Sequence, residues 1–244
     1  MAWVSFEHRF VFIAAPGTAS TAIIAAFKEN GIGQEWPETE IVKDGRRITP
    51  QKHASIEELK RGGVFDPLSG FTVLTGVRNM YAWRVAVYLR NRTKRMEEIA
   101  DPSSWISKLP KFDKQKAIAN IRRDAGMSFG QSVREYFDRH VDGVNVHQKF
   151  HNEADIFLHQ ETLDTDFDLI RDKFGLPKTL KVQRVGVTNA LKDGKTYKDF
   201  YDGPLREYFY QKNKPFFDLF PEYTFEGIDE ELATQRTRHA IELL

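Results

Sequence analysis

Apolar residues in this chain fall into two patterns: short unbroken runs, and longer stretches where they recur every three or four positions. These are the signatures of buried strands and of amphipathic helices. The sharpest instance is Phe10 to Phe27, FVFIAAPGTASTAIIAAF. Val11, Phe12 and Ile13 suit a buried strand, Pro16 and Gly17 stop the run, and Ile23, Ile24 and Phe27 resume at helical spacing until Gly31 offers a left-handed stop. Strand, tight loop and helix follow one another within eighteen residues.

The same alternation continues downstream. After a stretch at 31–51 rich in turn formers and charge, Ser55 and Glu58 form a capping box that starts a short helix ending at Gly62, which leaves Lys52 and His53 on the preceding loop. Phe71 to Val77 reads as a second buried strand closed by Arg78. A helix follows with Tyr81, Val85, Tyr88 and Leu89 on its buried face and Arg84, Asn91 and Arg95 opposite. Residues 101–126 are polar and basic, with a short helix expected at 114–123, and read as an excursion from the core. SFGQSVREYFDRH is amphipathic. DIFLH, at 155–159, is a third strand, followed by a helix with Leu163, Phe167, Ile170 and Phe174 on one face, and Glu161 stands at the junction. An aromatic-rich helix begins near Pro204, and a capped amphipathic helix closes the chain, able to dock on the body or on a second subunit in a homodimer.

Strands alternating with helices predict an α/β fold with a parallel sheet. The 244 residues fit a single domain, 1–244, carrying the excursion and a C-terminal helical tail. A formal charge of +1 gives no general pull toward nucleic acid, so an anion site must be built from local groups. The absence of cysteine removes disulfides and thiolate metal ligands and fits a reducing compartment. No signal-peptide pattern and no apolar run of about 20 residues is present, so the expectation is a cytoplasmic protein without a membrane span.

Chemistry concentrates at the first loop. Gly17, Thr18, Ala19, Ser20 and Thr21 are small or hydroxylated, and backbone N–H groups at such a helix start attract phosphate or sulfate. The GxxxxGK[ST] pattern of nucleotide triphosphatases is missing. Arg78 closes a strand at the sheet edge where ligands bind in open parallel sheets, and it is equally suited to capping carbonyls there. Lys192 and Lys195 flank Gly194 in a glycine-containing basic loop from which one of them could reach an anion. No HExxH, acidic cluster or GxGxxG implies metal or nicotinamide.

In order, the strand-PGTAST-helix, KHASIEEL, the strand ending VRNMY, DIFLHQETLDTDF and TYKDFYDGPLREYFYQKNKPFFDLF resemble the bacterial relatives of carbohydrate sulfotransferases. The resemblance implies a P-loop-NTPase-like parallel sheet flanked by helices, the sulfotransferase fold. It also implies a PAPS (3′-phosphoadenosine-5′-phosphosulfate) donor whose sulfuryl group goes to a small-molecule or glycan hydroxyl; no metal, no nucleic acid and no membrane span are expected. By that match Thr18, Ser20 and Thr21 fall on phosphosulfate-binding positions and Arg78 on the 3′-phosphate arginine, while His53 and Glu161 are the candidate bases. Two positions depart from the family: the loop lysine falls on Gly17, and the 3′-phosphate serine on Ala86. Lys52, Lys192 or Lys195 could replace the missing cation. The alternatives are a catalytically silent PAPS-binding homologue and, more distantly, a P-loop nucleotide kinase.

Overall fold

Only four residues separate the strands β1 (Ala2–Ser5) and β2 (Phe10–Ile13), too few for a crossover, so the chain turns back and the two pair antiparallel. The computed structural model describes residues 2–44, 46–50, 53–109, 111–139, 147–183 and 194–244. After β2 come α1 (Ser20–Glu29), β3 (Gln34–Trp36), β4 (Ile41–Lys43), β5 (Arg46–Thr49), α2 (Ile56–Gly62) and β6 (Thr72–Val77). Then follow α3 (Met80–Arg92), α4 (Lys94–Ala100), α5 (Lys111–Gly126), α6 (Phe129–Arg139), α7 (Gln148–His151), β7 (Ile156–His159), α8 (Leu163–Phe174), α9 (Gly203–Lys212), α10 (Lys214–Leu219) and α11 (Glu230–Glu242).

The architecture is α/β, and the sheet has the order β3-β1-β2-β6-β7. β2, β6 and β7 run parallel, in the registers Ile13↔Thr75 and Val77↔His159, whereas β1 and β3 are antiparallel additions. The expectation of a parallel sheet is therefore corrected to a mixed one. Two features hid the extra strands. All four residues of β1 are buried, so no alternation marks it, and β3 to β5 are three or four residues each inside a stretch dominated by turn formers.

Chain contacts divide the described residues into two compact units, one formed by 2–78, 147–183 and 220–244 and the other by 79–139 and 194–219. In the first, strand alternation sorts side chains to the two sheet faces. Phe10, Phe12, Leu74, Ile156 and Leu158 pack with Ile23 and Phe27 of α1 and Phe167 and Ile170 of α8. Val11, Ile13 and Val73 pack instead with Ile56 and Leu59 of α2 and Phe150 of α7. α11 packs on β7, and its Thr237 hydroxyl donates to the Phe157 carbonyl, which blunts the edge of β7 away from β6, unpaired among the described residues.

In the second unit, α3 is buried around more of its circumference than its pattern suggested. Trp83 and Arg84 are buried as well as Tyr81, Val85 and Tyr88, while Leu89 is half-buried. Arg84, expected on the polar face, donates to both the carbonyl and the hydroxyl of Ser132 on α6, with its guanidinium 5.2 Å from the Tyr136 ring centre. Tyr81 packs on Phe209 and Phe217 at 4.9 and 5.3 Å, so the aromatic-rich C-terminal stretch closes this unit's core.

One charged junction ties four segments of the first unit together. Buried His159, at the end of β7, meets Asp166 of α8 through Nδ1 at 2.9 Å and Glu222 through Nε2 at 2.9 Å, and Arg236 of α11 lies 3.6 Å from Glu222. Burial alone would discharge the imidazole, but the two carboxylates outweigh it and raise its pKa from 6.5 to about 9. Because the folded value is the higher one, the stabilisation is complete below pH 6.5 and is lost as pH rises through about 9. It amounts to something on the order of 3 kcal/mol. Urea unfolding between these pH values should show stability falling by up to about 1.4 kcal/mol per pH unit, one proton's worth, and His159→Gln should flatten that limb. A flat wild-type profile would show that the junction is uncharged.

Candidate functional site

The loop between β2 and α1 is shaped by two left-handed residues, Gly17 at φ 77° and Ala19 at φ 62°. Ala19 is also the N-cap of α1, with no side-chain cap bond and no acidic residue in the first turn. The helix therefore presents its positive end without a carboxylate of its own to offset it. Ser20 is buried and Thr21 exposed.

Thr18 is fully buried, and its hydroxyl donates to the Ala15 carbonyl at 2.9 Å, which commits that side chain to the loop's shape. It seats against β6 at Gly76, where a Cβ would lie 2.4 Å from the Thr18 Oγ1 and 2.8 Å from its carbonyl oxygen. Glycine at 76 is what lets the loop lie on the neighbouring strand. Two residues on, Arg78 leaves the end of β6 and its Nη1 donates to the Gly17 carbonyl at 3.3 Å.

His53 approaches from the other side. Its Nδ1 lies 2.7 Å from the Ala14 carbonyl and must carry the proton to donate there, so in the neutral ring the lone pair is on Nε2. The residue itself is left-handed at φ 61°. Glu161 follows the end of β7 at the same sheet edge and accepts from the Tyr223 hydroxyl at 2.8 Å. The structure thus joins Gly17 to Thr21 with Arg78 directly, and His53 through Ala14. Lys195 belongs to the second unit, is exposed, and acts electrostatically on Asp199. Lys52 and Lys192 lie outside the described residues.

Two further histidines were missed by sequence reasoning. His147 and His151, both buried, stand with ring centres 5.9 Å apart, and His151 bonds the backbone of Gly76, the strand position that receives Thr18. Burial drives the His147 pKa down to about 3, with the Arg78 guanidinium pushing the same way, and burial drives that of His151 to about 4. Both rings are neutral at pH 7, so they add no charge beside the Arg78 guanidinium, which stays protonated. The i, i+4 spacing of HQKFH was the available signal, but the helix carrying it is four residues long and gives no periodicity of its own.

No family model matches the chain, and no curated protein or solved structure matches it. No helix among the described residues is long and apolar enough to cross a membrane.

Gly76→Ala should lower unfolding stability by about 2 kcal/mol, the usual penalty of overpacking a tight contact, read as a drop in urea midpoint. An unchanged midpoint would mean that the loop does not rest on this strand.

Proposed function

We propose that the chain is a sulfotransferase that moves a sulfuryl group from PAPS to a hydroxyl, with a carbohydrate as acceptor class. The observation that carries this reading is the contact of Arg78 with the loop at Gly17, which puts a guanidinium beside an uncapped helix start on adjacent parallel strands. Guanidinium and amides are the donor set that suits a phosphorylated, sulfated ligand.

The residues present fit such a donor: the amides of Gly17 to Thr21 and the Thr21 hydroxyl would take the phosphosulfate end, and Arg78 a phosphate. When bound, the donor supplies the sulfuryl group. Arg78 and the loop amides offset negative charge that develops on the departing bisphosphate, and Nε2 of His53 takes the acceptor's proton. His53 suits that role better than Glu161, whose carboxylate already accepts from Tyr223.

A silent PAPS-binding homologue is the second reading, favoured by Gly17. Its φ of 77° belongs to glycine, so the family's lysine could stand there only with strain. Gly17→Lys should accordingly destabilise the fold without creating transfer activity, and a variant that folds normally and gains activity would show the loop to be adaptable.

Calorimetric titration with adenosine 3′,5′-bisphosphate tests the main reading. Binding at about micromolar strength, roughly 8 kcal/mol, is expected, with Arg78→Ala weakening it by roughly 10- to 100-fold and ATP with magnesium failing to compete. No binding, or displacement by ATP, would overturn it. Sulfate transfer to an acceptor then separates the active reading from the silent one.

A further inference from the structure

In the second unit, α4 and the turn after it gather side chains around one carboxylate. Glu98 on α4 is half-buried, and its Oε2 accepts from the Trp105 indole N–H at 2.9 Å and from the Arg95 guanidinium. That guanidinium also lies 5.0 Å from the indole centre, so Trp105 is fixed from two sides although 45% of it is exposed. Trp3 and Trp83, by contrast, are buried and Trp36 is half-buried.

Two polar groups of this cluster take no hydrogen bond from the described residues. Both bonds to the Glu98 side chain land on Oε2 and none on Oε1. Arg90, half-buried near the end of α3, makes neither a hydrogen bond nor an ion pair, and the charges that act on it are those of Arg95 and Glu98. Burial and the like charge of Arg95 lower its pKa, and Glu98 offsets them only in part. On Glu98 burial works upward, but the bonds from Trp105 and Arg95 and the charges of Arg95 and Lys94 outweigh it and hold the carboxylate below its usual range. Arg90, Lys94 and Arg95 thus act around a single carboxylate, and a guanidinium withdrawn from water is costly until an anion meets it.

We propose that Arg90, Glu98 and Trp105 form a binding site for an acidic sugar, a hydroxylated ring that carries a carboxylate or a sulfate. Each of the three takes a different part of the ligand. Arg90 presents its fork of N–H donors to the planar anion, Glu98 Oε1 accepts from a hydroxyl, and the negative face of the indole covers the C–H face of the sugar ring. A phosphate polyanion would satisfy Arg90 but meet Glu98 as a like charge, and an apolar anion would bring no donor to Oε1. The acceptor atom beside the guanidinium decides for a sugar. The cluster lies wholly within the second unit, and the inference is independent of the sulfotransferase reading.

NMR of the isotope-labelled full chain tests this through the Trp105 indole N–H, a signal identified by its loss in Trp105→Phe. Sodium glucuronate and glucose 6-sulfate are titrated separately, with glucose and sodium cyclohexanecarboxylate as controls that lack the anion and the hydroxyls respectively. A saturable shift with a dissociation constant on the order of 1 mM is expected for at least one acidic sugar, and the tighter of the two identifies the anionic group. Both controls should bind at least about tenfold more weakly. Arg90→Gln should weaken the acidic sugar by about tenfold or more, Arg90→Lys, which keeps the charge without the planar fork, by less, and Arg78→Ala should bind it as the parent does. No shift with either acidic sugar, an equal response to glucose or to cyclohexanecarboxylate, unaltered binding by both Arg90 variants, or loss of the response in Arg78→Ala would each overturn the proposal.

Discussion

The seating of Thr18 on Gly76 is the contact from which the candidate site follows. β2 and β6 are parallel neighbours, so the loop that leaves β2 must pass over the end of β6, and how closely it passes is set by what β6 presents. With glycine there, the threonine side chain drops into the sheet and closes on Ala15, and Gly17 and Ala19 turn left-handed to bring the chain into α1. Only with the loop at that height does the Gly17 carbonyl come within reach of Arg78, and His151 braces the same strand position. A side chain at 76 would lift the loop and separate the guanidinium from the helix start.

Much of this was legible from residue order. Strands at Phe10–Ile13, Thr72–Val77 and Ile156–His159 follow from unbroken apolar runs, and the Ser55–Glu58 capping box forms as its spacing requires. What escaped is what periodicity does not encode. A strand of four buried residues has no alternation to read, and β3 to β5 are shorter than any window that could reveal a period. Helical spacing puts Arg84 opposite the apolar stripe of α3, but it is buried, because Ser132, 48 residues away on α6, accepts from its guanidinium. The His159 junction joins positions 63 residues apart, so no local pattern announces it.

Charge in the first unit is managed at short range. The unit that holds the loop is formally acidic among its described residues, so a long-range field does not draw an anion toward it. Among the described residues, the groups at the edge of the sheet that would attract it are oriented amides and the Arg78 guanidinium. Burial keeps His147 and His151 neutral beside that guanidinium, whereas His159, set between two carboxylates, is charged. The same residue type thus serves as uncharged packing at one place and as an ionic tie at another, and its surroundings decide which.

The central claim is that the β2–α1 loop and Arg78 form one anion site, and amide NMR of the isotope-labelled chain during addition of adenosine 3′,5′-bisphosphate tests it most directly. The account predicts that the largest shifts fall on the amides of Gly17 to Ala22 and on the Arg78 guanidinium, saturating together along one binding curve. Shifts concentrated on other elements, or loop and Arg78 signals that follow different curves, would contradict it.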